Sequence, residues 1–204
     1  MSEKFIKKFQ DRLDWYRISY YQNLSESFIE RFQDKVDWEA ISSEQKLSEK
    51  FIEKYQDRIG WSSISIKQNL SEEFIEKFQD KVEWRWISEN QKLSEEFIEK
   101  FQDKVDWYEI SAKQKLSELF IEKFQDKVDW WCISCFHSLS ESFIEKFKDK
   151  VNWKTISRYQ KLSDDFVLNN FFKIDIFFLK RNYYFDFKNI NIGLKLLLDL
   201  RGDL

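Results

Sequence analysis

Residues 93 to 115 read Leu-Ser-Glu-Glu-Phe-Ile-Glu-Lys-Phe-Gln-Asp-Lys-Val-Asp-Trp-Tyr-Glu-Ile-Ser-Ala-Lys-Gln-Lys. Phe97, Ile98, Phe101 and Val105 stand at offsets of one, four and eight, which puts them on one face of a helix. Ser94 is placed as its N-cap, Glu95 and Glu96 lie at the positive end of its dipole, and Lys104 lies near the negative end. Leu93 before the cap and Ile98 four residues into the helix have the spacing of a hydrophobic staple. The same grammar restarts at Asp106, a second N-cap flanked by Val105 and Ile110, and predicts a short second helix from Trp107 to about Gln114. The stretch therefore reads as a helical hairpin with tight connections.

Outward from this copy the pattern repeats without a slip. Trp stands at 15, 38, 61, 84, 107, 130 and 153, a constant step of 23. Seven copies fill residues 1–161, and a degenerate eighth begins at Leu162, leading into an atypical segment over 162–204. The apolar positions break phase at every Asp cap, which excludes a continuous heptad coiled coil. They neither alternate at period two nor carry turn glycines, which excludes a β-solenoid. The handful of apolar positions in one copy cannot offset the ordering of its backbone, so the copies must stack. The expected fold is all-α: an α-solenoid of seven tandem two-helix repeats with an atypical C-terminal capping segment.

Because the copies can be compared with one another, fixed and variable positions are legible within the chain. Trp107, Ile110, Ser111 and Gln114 represent positions that hardly change; only His137 interrupts the glutamine series. Polar residues this regular are expected to form hydrogen-bond ladders between stacked units rather than a catalytic constellation, which needs asymmetry. Glu99, Lys100, Asp103 and Lys104 also recur, as a solvated face or as pairs between units. The positions of Tyr108, Glu109, Ala112 and Lys113 instead hold almost every chemical type. Eight of these 28 residues are aromatic: Tyr16, Tyr20, Tyr21, Trp86, Tyr108, Trp131, Phe136 and Tyr159. Exposed aromatic side chains on an otherwise unconstrained strip point to contact with a partner. Half-coverage by adjacent units is the competing reading.

Composition narrows the function. There are 34 Lys and Arg against 37 Asp and Glu, for a net charge of −3, so the basic footprint of a nucleic-acid binder is missing. A one-nucleotide-per-repeat code is accordingly disfavoured. With one His, three Gly and no Pro, the chain has no phosphate loop, nucleophile elbow or His-based acid–base pair, and an enzyme, a cofactor or a small-molecule substrate is not expected. Cys132-Ile-Ser-Cys135 has redox or metal spacing with His137 close by, yet no strand precedes it and no second cysteine cluster supplies ligands; chance substitution is the preferred account. Met1-Ser2-Glu3-Lys4 runs straight into helical sequence, so no signal peptide is expected and an intracellular, cytoplasmic setting is.

Beyond Leu168 the repeat fades. Lys173, Ile174, Asp175 and Leu179 still fall on repeat positions, which favours an eroded copy that caps the stack. The abundance of Phe, Asn, Ile, Lys and Tyr leaves a second reading, an unselected out-of-frame tail. Its apolar clusters are too short and too interrupted by charge to span a bilayer.

The consensus Leu-Ser-Glu-x-Phe-Ile-Glu-Lys-Phe-Gln-Asp-Lys-Val-Asp-Trp-x-x-Ile-Ser-x-x-Gln-Lys resembles the 23-residue tandem repeats of proteins from giant, amoeba-infecting DNA viruses, over residues 1 to about 167. That resemblance implies a host-cell or virion setting and carries no activity, ligand or catalytic residue. The functional expectation is a non-enzymatic scaffold that binds protein partners through the variable strip, with self-assembly as the alternative.

Overall fold

The computed structural model describes residues 2–202, and among these the chain is all helical, with seventeen helices, no strand, and positive φ only at Gly202. It forms two compact units, Met1–Asp106 and Trp107–Leu204, divided inside the fifth copy. Each unit is a stack of two-helix repeats in which the Trp helix of one copy packs on that of the next.

The first helix of each copy has six residues, as in Glu26–Arg31, Glu49–Lys54 and Glu72–Lys77 of the first unit and Glu118–Lys123 and Glu141–Lys146 of the second. A serine begins it: the hydroxyl of Ser48 accepts the Phe51 N–H at 3.3 Å and that of Ser117 the Phe120 N–H at 3.2 Å. The helix is shorter than its amphipathic pattern. Phe101 closes Glu95–Lys100 with φ −110 and ψ 29, outside the helical well. A detached turn follows, in which the Lys104 and Val105 N–H groups both reach the Phe101 carbonyl, at 2.9 and 3.1 Å. Val105 thus enters the core from a separate turn, and the cation on the last helical turn is Lys100 rather than Lys104.

The second helix has seven residues, as in Trp38–Glu44 and Trp130–Phe136, and begins at the expected Asp: Asp37 and Asp129 each accept an N–H at 2.8 Å, from Ala40 and Cys132. In the third copy Gly60 replaces this cap, and the Glu39 carboxylate of the preceding copy occupies the vacated space, where a Cβ on residue 60 would come within 2.2 Å of it. Both helices aim one isoleucine into the centre; Ile52, Ile64, Ile75 and Ile87 of the first unit and Ile121, Ile133 and Ile144 of the second expose no surface.

The polar ladders expected from the constant residues are present between copies within each unit. The Gln68 carboxamide donates to the carbonyls of Ser42 and Gln45, at 3.1 and 2.8 Å, and accepts the Leu47 N–H at 3.1 Å. Gln45, Gln91 and Gln160 repeat this three-bond pattern. Ser42 donates to the Trp38 carbonyl at 2.6 Å and accepts the Gly60 N–H at 2.9 Å. Within each unit the first glutamate of a first helix latches the next serine, so that Glu72 accepts from Ser94 N–H at 2.6 Å and from its hydroxyl at 3.1 Å, and Glu118 does the same for Ser140. The glutamine bonds and the serine N–H latches satisfy backbone groups that the turns would otherwise leave open.

Tryptophan joins copies differently. Trp61 is half-buried, donates its indole N–H to the Gln56 carbonyl at 3.0 Å, and lays its ring against Phe74 and Phe78 of the next copy at 6.4 and 5.2 Å. Lys81, from that same next copy, sits 5.9 Å from the indole centroid and also pairs with Asp57 at 3.2 Å. The recurrent charges of the first helices and of the turns that follow them therefore pair copy with copy; their side chains stay solvated and each pair contributes little.

The tail continues the helical architecture of the copies before it. Ser163 caps Asp164–Asn169, Asp175 caps Ile176–Leu179, and Ile176 stands buried where tryptophan stood. Asn182 donates to the carbonyls of Ser157 and Gln160 at 2.9 and 2.8 Å, the task of the ladder glutamine. Asn191 caps Ile192–Arg201 and gives its N–H to Asp164 at 2.5 Å, which repeats the serine latch on one further first helix. Among the described residues no helix is long and apolar enough to cross a membrane.

Candidate functional site

The Trp helices lie side by side within each unit, and this splits the variable strip into unequal columns. The residue after each tryptophan (16, 39, 62, 85, 108, 131, 154) is exposed in every copy, and so is the residue before each ladder position (21, 44, 67, 90, 113, 136, 159). The other two columns are covered from the second copy on, while Arg17 and Tyr20 of the first copy are exposed. Ala40, Glu109, Cys132 and Thr155 are buried, Ser63 and Trp86 are half-buried, and the column of Ser43, Ile66, Glu89, Ala112, Cys135 and Arg158 is half-buried throughout. Contacts explain the difference: the residue two after tryptophan meets the residue one after tryptophan in the preceding copy. Ser63 donates to Glu39 at 2.6 Å, and Cys132 lies against Tyr108, whose hydroxyl it pushes up in pKa.

Six of the eight aromatic residues singled out from sequence fall in the fully exposed columns: Tyr16, Tyr21, Tyr108, Trp131, Phe136 and Tyr159. Tyr20 belongs to the half-buried column but is 38% exposed, and Trp86 is half-buried with Arg85 5.3 Å from its ring. The structure gathers them into groups. Tyr16, Tyr20 and Tyr21 form one cluster in the first unit, with centroids 6.1 and 4.7 Å apart. In the second unit Trp131 meets Phe136 edge to face at 5.8 Å. A ninth ring, Tyr184, is 60% exposed and joins Phe136 and Tyr159 at a cleft of about 940 Å³ between the turns at Ser138–Glu141 and Lys161–Ser163. It was missed because it lies past the point where the 23-residue step holds; the Asn182 ladder bond is what brings it to the rim.

No family model, curated protein or solved structure matches the chain.

The sulfur groups look structural. Burial, aided by Asp129, pushes the Cys132 thiol up to about 12, and burial also raises Cys135. At neutral pH both are thiols, whereas nucleophilic, redox and metal-binding cysteines act as thiolates. Among the described residues no group of three or more His, Cys, Asp or Glu side chains is arranged to hold a metal.

His137 keeps one ladder bond, from Nε2 to the Ser111 carbonyl at 2.8 Å, with the Leu116 backbone as its other neighbour. Burial lowers its pKa more than these bonds raise it, so the folded chain holds the imidazole neutral. Its stabilising contribution is complete above the ordinary histidine value of about 6.5 and is lost as pH falls through the lower folded value. His137→Gln restores a second amide N–H. We expect it to stabilise the chain by about 1 kcal/mol at neutral pH and to remove the part of the acid sensitivity that wild type shows in urea unfolding between about pH 8 and pH 5. Equal acid sensitivity of the two proteins would contradict this assignment.

Proposed function

We propose that the chain is a non-enzymatic helical-repeat scaffold that binds a protein partner through the exposed columns of its Trp helices. The observation that carries the reading is a division of labour. The constant polar and aromatic residues are consumed in stacking, whereas the columns exposed in every copy hold Tyr16, Tyr21, Tyr108, Trp131, Phe136 and Tyr159, large side chains that the stack does not bury. The net charge of −3 favours a protein over a nucleic acid.

The test is a set of alanine variants in these columns, for instance Tyr108→Ala with Trp131→Ala and Tyr159→Ala. Helicity and the thermal transition should stay at wild-type values, because exposed positions contribute within about 0.5 kcal/mol, while capture of a host-cell protein is lost. Unfolding of these variants would place the strip in the core and overturn the reading.

Self-assembly is the second reading, and one observation favours it. In Ile192–Arg201 the residues Ile192, Leu196 and Leu200 are 79%, 57% and 84% exposed, and the first two stand where other first helices carry the glutamates that engage the following copy. Sedimentation velocity across a wide concentration range separates the two: a monomer throughout counts against assembly.

A further inference from the structure

The cleft of copies six to eight differs from its counterpart between copies two and three in two ways. Its rim is aromatic, built from Phe136, Tyr159 and Tyr184, while the equivalent groove of copies two and three is bordered by Glu44, Lys46 and Lys67. It is lined by Glu118 and Glu141, whose carboxylates accept from the N–H and hydroxyl of Ser140 and of Ser163, at 2.5 and 3.0 Å and at 2.5 and 3.1 Å. Those bonds fix the carboxylates in place, and among the described residues neither has a cationic partner. The second difference lies at position 138, which is serine where four other copies place Lys46, Lys92, Lys115 and Lys161 and the remaining two place Asn23 and Asn69. Two carboxylates therefore face a single ammonium, that of Lys161, and the His137 imidazole beside them is neutral.

Fixed carboxylates beside aromatic faces, with serine where four other copies carry lysine, are complementary to a planar organic cation. The rings in this unit already attract guanidinium groups: Arg158 lies 5.8 Å from the centroid of Tyr159 and Arg181 3.5 Å from that of Phe177. We propose that the cleft bordered by Phe136, Tyr159 and Tyr184 receives an arginine side chain from a basic segment of a partner protein, its guanidinium stacked on the rings and hydrogen-bonded to Glu118 or Glu141. This rests on the reading of the strip as a protein-binding surface and adds the chemistry of the partner.

The experiment is calorimetric titration of the full chain at low ionic strength, where surface charge is least screened, with a blocked heptapeptide of glycine and serine carrying one central arginine. The control peptide has citrulline at that position, a neutral near-isostere. The arginine peptide should bind, and the citrulline peptide should bind at least about tenfold more weakly. Ser138→Lys, an exposed substitution that introduces the residue of four other copies, should weaken binding by about tenfold with unchanged circular dichroism, and Tyr159→Ala should do the same. No binding of the arginine peptide at millimolar concentration overturns the proposal. So does equal binding of both peptides, indifference to Ser138→Lys, or preference for a neutral oligosaccharide. If the peptide fails while the alanine variants still lose their host protein, only the arginine assignment falls. If those variants keep the host protein, the scaffold reading falls whatever the peptide does.

Discussion

A synthetic peptide spanning residues 93–115 should show no helical minimum at 222 nm, although the same residues in the full chain contain two helices. The helices have six and seven residues, well below the roughly 12–15 at which an isolated helix becomes even marginal in water. The bonds that fix them lie between copies. Ser94 is latched by Glu72, the Ser88 hydroxyl takes the Asp106 N–H at 2.9 Å, and the Trp84 indole packs on Phe97 and Phe101. A lone copy keeps its serine cap and its isoleucines and loses all of these. Strong helicity in the peptide would remove the basis for the stacked architecture.

The second large effect is expected at the buried ladder. Gln68→Ala removes a carboxamide that is 5% exposed and leaves the Leu47 N–H and the carbonyls of Ser42 and Gln45 without that partner. Buried groups stripped of a partner cost about 1–3 kcal/mol each when water cannot replace it. Some re-solvation is available at a surface turn, so the variant should lose roughly 3 kcal/mol in urea unfolding. Gln68→Glu should be worse, because a carboxylate can still accept from Leu47 but cannot donate, and it would turn negative charge toward two carbonyl oxygens. Lys67→Ala, the exposed neighbour, should change stability by less than about 0.5 kcal/mol. An order in which Lys67→Ala rivals Gln68→Ala would mean that the ladder is dispensable.

Much of this architecture was legible in the residues because the chain carries its own comparison. The capping serines, the Asp caps and the staple residues specify where helices begin by local chemistry, and the invariance of Ser, Gln and Trp marks them as stacking groups. Helix ends were less legible. Phe101 satisfies an amphipathic pattern equally well on a continuous helix or on a detached turn, and the backbone change at that residue has no sequence signal such as Gly or Pro. The strip shows a similar limit. Four variable positions share a face by periodicity, yet neighbouring Trp helices cover two of the columns, and variability persists there because partners vary together, as with Glu39 and Ser63 or Tyr108 and Cys132. The tail was least legible, since Asn182 and Asn191 reproduce the ladder and the latch with a different amide at a shifted spacing, a chemical likeness that a fixed step does not detect.

The ladder has a consequence for how such a chain changes over generations. The groups that join one copy to the next are the same at each junction, so an in-frame gain or loss of 23 codons inside a unit delivers a piece whose edges already match its neighbours. Display and joinery are written in separate columns of the Trp helix. Recombination between copies inside a unit can therefore reorder what is presented outward while leaving the joints intact, and the junctions at His137 and at Gly60 are places where an exchanged piece would meet a different fitting.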